Sequence, residues 1–260
     1  MASQIPIPER AGAERVGIRT ISLEAPWQWL AKGWSDVWTA PLISLGYGLM
    51  FFAVSVLLTI GMFSFAWAAV VPAAAAGFML VGPILAMGLY EVSRRHEAGQ
   101  QVVFADALRA LKGSSGQVRF AGVVLAILLL VWMRVATLLF ALFFGTEYPP
   151  FIEFTQQLLM TPEGVGLLVL GTAIGAVFAF IVFATSAISI PMLLDRDIDF
   201  ISAALASFEA VRRNWAAMLL WAWIIAVLMA VGIATFYIGL IVVFPLIGHA
   251  TWHAYRAIVQ

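Results

Sequence analysis

Two histidines one helical turn apart are where this sequence comes nearest to chemistry. The stretch FPLIGHATWHAYR, residues 244–256, carries His249 and His253 at the edge of a long apolar run. An i, i+4 spacing puts both imidazoles on one face of a helix, an arrangement that serves a metal or, with a second helix, a haem. His96 is the only other histidine and lies in a polar connecting segment. Two ligands are too few for a closed zinc site. No carboxylate adjoins the pair in sequence, and Glu91 and Asp195 are the acids expected to approach. The other reading makes the pair part of the polar rim of a membrane helix, beside Trp252, Tyr255 and Arg256. The expectation is therefore no cofactor, with haem or copper at His249 and His253 as the alternative.

A second candidate is Arg134, in LLLVWMRVATLLF, the only charge inside an apolar span. Such a charge either faces the bundle interior, where it is a functional group by default, or snorkels outward. Glu147 and Glu153 of the following loop are its expected partners. Three prolines near the ends of apolar runs, Pro83, Pro191 and Pro245, remove one helix hydrogen bond each and predict kinks. In lipid the freed carbonyl needs another partner. Kinked helices gathered around an axis would either line a cavity or only shape the packing. The acidic run DRDID (Asp195, Asp197, Asp199) lacks the rest of a calcium loop and reads as a helix start, with Asp199 as N-cap. No phosphate-binding glycine loop, zinc-protease motif or serine-hydrolase motif occurs, so no catalytic residue is assigned. The chain has no cysteine, which excludes thiolate chemistry.

The elements that must position these residues follow from composition. Hydrophobic residues make up 63% and charged residues 11%, with mean hydropathy +1.00, whereas soluble domains carry about 25% charged residues. The class is an all-α polytopic membrane protein. Zero net charge points away from nucleic acid. Windows almost free of charge place six transmembrane helices near 40–62, 66–90, 119–144, 165–191, 215–233 and 235–256. The last window would make one helix roughly 63 Å long, about twice the hydrocarbon core, so it is divided in two. Residues 1–24 read as a mobile tail without a signal peptide, and 25–260 as one transmembrane domain.

Of the 14 basic residues, all but Arg134 fall on one side of this arrangement, whereas the loop GTEYPPFIEFTQQLLMTPEG carries only acidic charges. The positive-inside rule then puts both termini in the cytoplasm. Short amphipathic stretches precede pairs of spans. PWQWLAKGWSDVW has an apolar stripe of Trp27, Leu30, Trp34, Val37 and Trp38, with Gln28, Lys32, Ser35 and Asp36 off it. VFADALRALKG groups Phe104, Ala107, Leu108 and Leu111. DFISAALASFEAVRRNW groups Ile201, Ala204, Leu205, Phe208 and Val211. All three are expected to lie along the inner membrane surface. The chain thus parses into three units, about 25–95, 100–197 and 198–257, each an interfacial helix and two spans. GPILAMGLYEVSR and FPLIGHATWHAYR align without gaps, matching Pro83 with Pro245, Tyr90 with Trp252 and Arg94 with Arg256.

The passages IRTISLEAPWQWLAKGWSDVWTAPLISLGYGLMFF, GPILAMGLYEVSRR and FPLIGHATWHAYR resemble, over nearly the whole chain, a family of bacterial integral membrane proteins with a domain of unknown function. Some members are labelled cytochrome c oxidase subunit I. The resemblance implies the inner membrane of a Gram-negative bacterium and supplies no mechanism. Three histidines are too few for an oxidase core. The expected function is a non-catalytic scaffold, assembly or accessory module for other membrane proteins, itself or lipid. The alternative is a small-solute transporter or channel with Arg134 at its pathway. A third reading is a haem- or copper-binding respiratory accessory protein.

Overall fold

A computed structural model describes residues 16–260 except 66, 113–114 and 147–148. Residues 1–15 of the expected tail, the Leu111 side chain and Glu147 lie outside the described residues. Twelve α-helices follow in order among those described. They are α1 (Ala25–Thr39), α2 (Pro41–Ser64), α3 (Val71–Leu85), α4 (Met87–Glu97), α5 (Phe104–Lys112), α6 (Gly116–Phe144), α7 (Phe151–Met160), α8 (Pro162–Ser186), α9 (Ser189–Asp195), α10 (Phe200–Arg213), α11 (Trp215–Ala234) and α12 (Leu240–Ile258).

Local chemistry sets the boundaries. Pro41, which lacks an N–H, opens α2 directly after α1. Ser115 caps α6 through the Val118 N–H, and Thr161 caps α8 through the Gly164 N–H, followed by Pro162. Asp199 caps α10 as expected, accepting from the Ser202 N–H at 2.9 Å. Within the acidic loop, Pro150 precedes the short helix α7.

Five segments are long and apolar enough to cross a membrane: Pro41–Ser64, Ala68–Glu97, Gly116–Phe144, Pro162–Asp195 and Trp215–Ala234. They overlap the first five spans read from the charges, the second running on to Glu97 and the fourth extending from Pro162 to Asp195. The expected sixth, α12, has the length but not the apolarity, because His249, Thr251, His253, Tyr255 and Arg256 crowd its second half.

The prolines act differently from one another. The second apolar segment breaks at Ala86, three residues after Pro83, into α3 and α4. At that break the Leu89 N–H turns to the Ala86 carbonyl, and the Tyr47 hydroxyl donates to the Leu85 carbonyl at 2.6 Å. The fourth segment breaks between Ser186 and Ser189, beside Pro191. By contrast, α12 runs continuously through Pro245. Pro245 leaves the Ile241 carbonyl without its helix donor, and Gly48 of α2 sits against that oxygen so closely that no side chain would fit.

The fold centres on α12, which packs against α1, α2, α4 and α11. Gly33 lets α1 approach the Ala250 backbone, where a Cβ would come within 2.7 Å of the Ala250 nitrogen. Part of the expected tail is tied down here. Ile18 pairs with Val259 in an antiparallel bridge, and Asn214 clamps the strap by accepting from the Ile21 N–H and donating to the Arg19 carbonyl.

Candidate functional site

All three histidines converge on one carboxylate that the sequence did not single out, Asp36 of α1. Asp36 is 5% exposed. Its Oδ2 accepts from Ser93 Oγ at 2.6 Å and lies 2.8 Å from His253 Nε2, while its Oδ1 lies 2.8 Å from His96 Nδ1. Ser93 Oγ is also 2.8 Å from His249 Nδ1, and His249 Nε2 is 2.9 Å from Ser44 Oγ. The knot therefore joins α1, α2, α4 and α12.

The donors can be assigned by counting protons. A carboxylate only accepts, so the single Ser93 proton points to Asp36. The Ser93 oxygen must then accept from the Nδ1–H of His249. In the neutral ring Nε2 is an acceptor, which takes the Ser44 proton. Every donor along Ser44, His249 and Ser93 thus points toward Asp36. Burial alone would raise the Asp36 pKa. Hydrogen bonds from His253 and Ser93, with the positive character of His253 beside it, outweigh that and hold the carboxyl at about 2.

The knot extends to the end of the bundle. His253 Nδ1 faces Glu97 Oε1 at 3.7 Å, Glu97 pairs with Arg256 at 3.2 Å, and Arg256 reaches Asp195 at 3.6 Å. Tyr255 donates to Asp195 at 2.7 Å. Above the knot, Phe51, Phe78 and Phe244 close the space between α2, α3 and α12, with centroids 4.4 Å apart for Phe51–Phe244 and 5.8 Å for Phe78–Phe244.

The residues foreseen from sequence are placed as follows. His249 and His253 are both buried and share one network. Both ring nitrogens of His249 and the Nε2 of His253 are already engaged inside the protein. This set does not fit haem or copper ligation as it stands, since no His249 nitrogen is free for a metal. Among the described residues no group of three His, Asp or Glu side chains is arranged to hold a metal ion. The expected acids are occupied elsewhere: Glu91 by Arg94 at 2.7 Å and Arg95 at 2.6 Å, and Asp195 by Tyr255.

Arg134 is exposed on α6 and has no ion pair among the described residues. Glu153, one of its expected partners, accepts from Gln157 instead. A cavity of about 520 Å³ lies between α4, α5 and α9, lined by Glu91, Arg95, Asp106, Arg109 and Arg196 among others, and Arg134 is not part of it. Pro83 and Pro191 sit beside helix breaks, not in the knot.

Read from sequence, Asp36 falls on the polar side of a two-faced helix. Its signal was the 3–4 spacing of Trp29, Gly33 and Asp36, in which a glycine marks close approach of another backbone. In the structure Trp29, Gly33 and Asp36 are buried against the bundle, whereas Trp27, Trp34 and Trp38 are 57%, 46% and 54% exposed.

Residues 70–195, just under half of the chain, match the sequence model of a family described as "Predicted integral membrane protein (DUF2189)". Together with the five apolar helices, this makes the chain an integral membrane protein that matches an uncharacterised membrane protein family. No curated protein matches the chain. No solved structure matches it either.

Proposed function

We propose that the chain is a non-catalytic module of a bacterial inner membrane that supports the assembly or stability of other membrane proteins. In this reading α12 is a sixth crossing, sheltered by its neighbours, and both termini are cytoplasmic. The chain is then three related units, α1–α4, α5–α9 and α10–α12. Each opens with a short amphipathic helix followed by a long apolar one. Placing α12 as a crossing is physically reasonable because its polar residues face Asp36, Ser44 and Ser93 instead of lipid.

The observation that carries the reading is the contrast between interior and flank. Between α2, α3 and α12 the interior is occupied by the Phe51–Phe78–Phe244 cluster over the hydrogen-bonded knot. The flanks of α6 and α8 expose broad apolar surface, including Leu130, Leu142, Val169 and Val177. Such surface suits lipid or another membrane protein. A transporter would need a polar path through the aromatic cluster and a role for Arg134 at its wall.

The test is reconstitution in vesicles, with proton and small-ion flux measured against empty vesicles. The scaffold reading expects no added flux. Flux that disappears in Asp36→Asn would overturn it in favour of transport. Reporter fusions at each terminus check the topology, both expected to report the cytoplasm.

A further inference from the structure

The three short helices α1, α5 and α10 each have three faces, not two. A side chain turns by ~100° per residue along a helix. On α1 the buried face is Trp29, Gly33 and Asp36, together with Val37, which the apolar stripe read from sequence groups with the tryptophans. Roughly a third of a turn further round come the exposed rings of Trp27, Trp34 and Trp38. Gln28, Lys32 and Ser35 complete the circle, also exposed.

α10 repeats the pattern. Ala203, Ser207 and Ala210 are buried; Ile201, Leu205 and Phe208 come next at 65%, 65% and 49% exposure, with exposed Arg212 on the same side in the last turn; half-buried Ser202 and Glu209 and exposed Arg213 follow. On α5 the order is Asp106 and Ala107 buried, then exposed Phe104 with half-buried Leu108, then exposed Arg109. In all three helices the faces follow in the same rotational direction: bundle, outward apolar, polar.

A helix lying flat on a bilayer, with its side against a bundle, needs this division: one face to protein, one to lipid and one to water. Tryptophan on α1 suits the depth of the headgroups, and Lys32, Arg109 and Arg213 on the third faces suit a phosphate layer. Each helix also precedes a long helix that exposes a large apolar side chain near its start, Leu42 on α2, Phe120 on α6 and Trp215 on α11. The exposed apolar faces are thus continuous with lipid-facing surface.

We infer that the outward apolar faces of α1, α5 and α10 rest on the phospholipid headgroup–acyl boundary and form a collar around the basic end of the bundle. This rests on the reading of the long helices as crossings, and it names lipid, not protein, as what covers these faces. The Asp36 knot then fixes the rotation of α1, and so the depth of its tryptophans.

The chain has no cysteine, so one substitution gives one labelling site. Full-length Trp34→Cys and Leu205→Cys, and the polar-face variants Ser35→Cys and Ser202→Cys, are spin-labelled in phosphatidylcholine–phosphatidylglycerol vesicles. Collision with oxygen is compared with collision with a water-soluble nickel chelate. Leu57→Cys on the exposed side of α2 is the control for the bilayer interior. The collar predicts oxygen-to-nickel ratios at least about threefold higher at 34 and 205 than at 35 and 202, as for a half-immersed helix. Equal ratios on the two faces would overturn it. Shielding of 34 and 205 from both reagents would also overturn it, in favour of a protein partner. A water-exposed Leu57→Cys label would instead reject the crossing itself, a failure distinct from that of the collar.

Discussion

α8 and α12 are opposite kinds of membrane helix. α8 belongs to one of the most apolar segments, yet only 11% of that segment's apolar window is buried. α12 is too polar to stand with the five apolar candidates, yet most of its second half is buried, and His249, Ala254 and Tyr255 are 0% exposed. Where lipid is the solvent, apolar surface can be left outside and the polar groups are what must be enclosed. Hydropathy then reports exposure to lipid, and the residues that lower it mark the centre of the fold.

That contrast breaks first at Asp36. Asp36→Ala leaves Ser93, His253 and His96 without their common acceptor. The expected loss is about 3 kcal/mol, the scale for removing one partner of a buried charged cluster. It is read as a fall in thermal midpoint of the detergent-solubilised protein. Gly48→Val comes next, because a side chain there collides with the Ile241 carbonyl. About 2 kcal/mol is expected from overpacking, in the same assay.

Acid probes the same knot without mutation. The Asp36 carboxyl is held at about 2, below its ordinary 3.8. Its ionised form is favoured by the fold, so its contribution is whole above about pH 4 and is lost as pH falls through the interval down to about 2. Roughly 2 kcal/mol is at stake. Denaturation profiles of wild type and Asp36→Asn should converge over that interval, and parallel profiles would contradict the assignment. Tyr47→Phe frees the Leu85 carbonyl at the α3–α4 break and should cost about 1 kcal/mol. Val177→Ala on the exposed side of α8 should stay within about 0.5 kcal/mol, which sharpens the difference from α12.

Much of this architecture was legible from charge alone. Gaps between charged residues located the five apolar segments because a bilayer penalises each charge it meets, and Asp199 was readable as a cap from its position. The site was only half legible. His249 and His253 stand out by type, but the carboxylate that His253 meets directly and His249 reaches through Ser93 lies more than two hundred residues away on α1. Periodicity on α1 was dominated by tryptophans that face outward. A two-faced reading of a helix touching protein, lipid and water at once merges a buried polar residue with the solvent side, and Asp36 in fact lies on the face against the bundle. Arg134 illustrates the converse. Its rarity in an apolar run drew notice, while the structure leaves it on the exposed side of α6.

The central claim is that the Asp36–histidine knot locks α1 onto α12. A double-mutant cycle of Asp36→Ala and His253→Ala, read as unfolding free energies in detergent, tests it most directly. The account predicts a coupling above about 1 kcal/mol, since the two residues share one network. Additivity within about 0.5 kcal/mol would mean that they act independently and would contradict it.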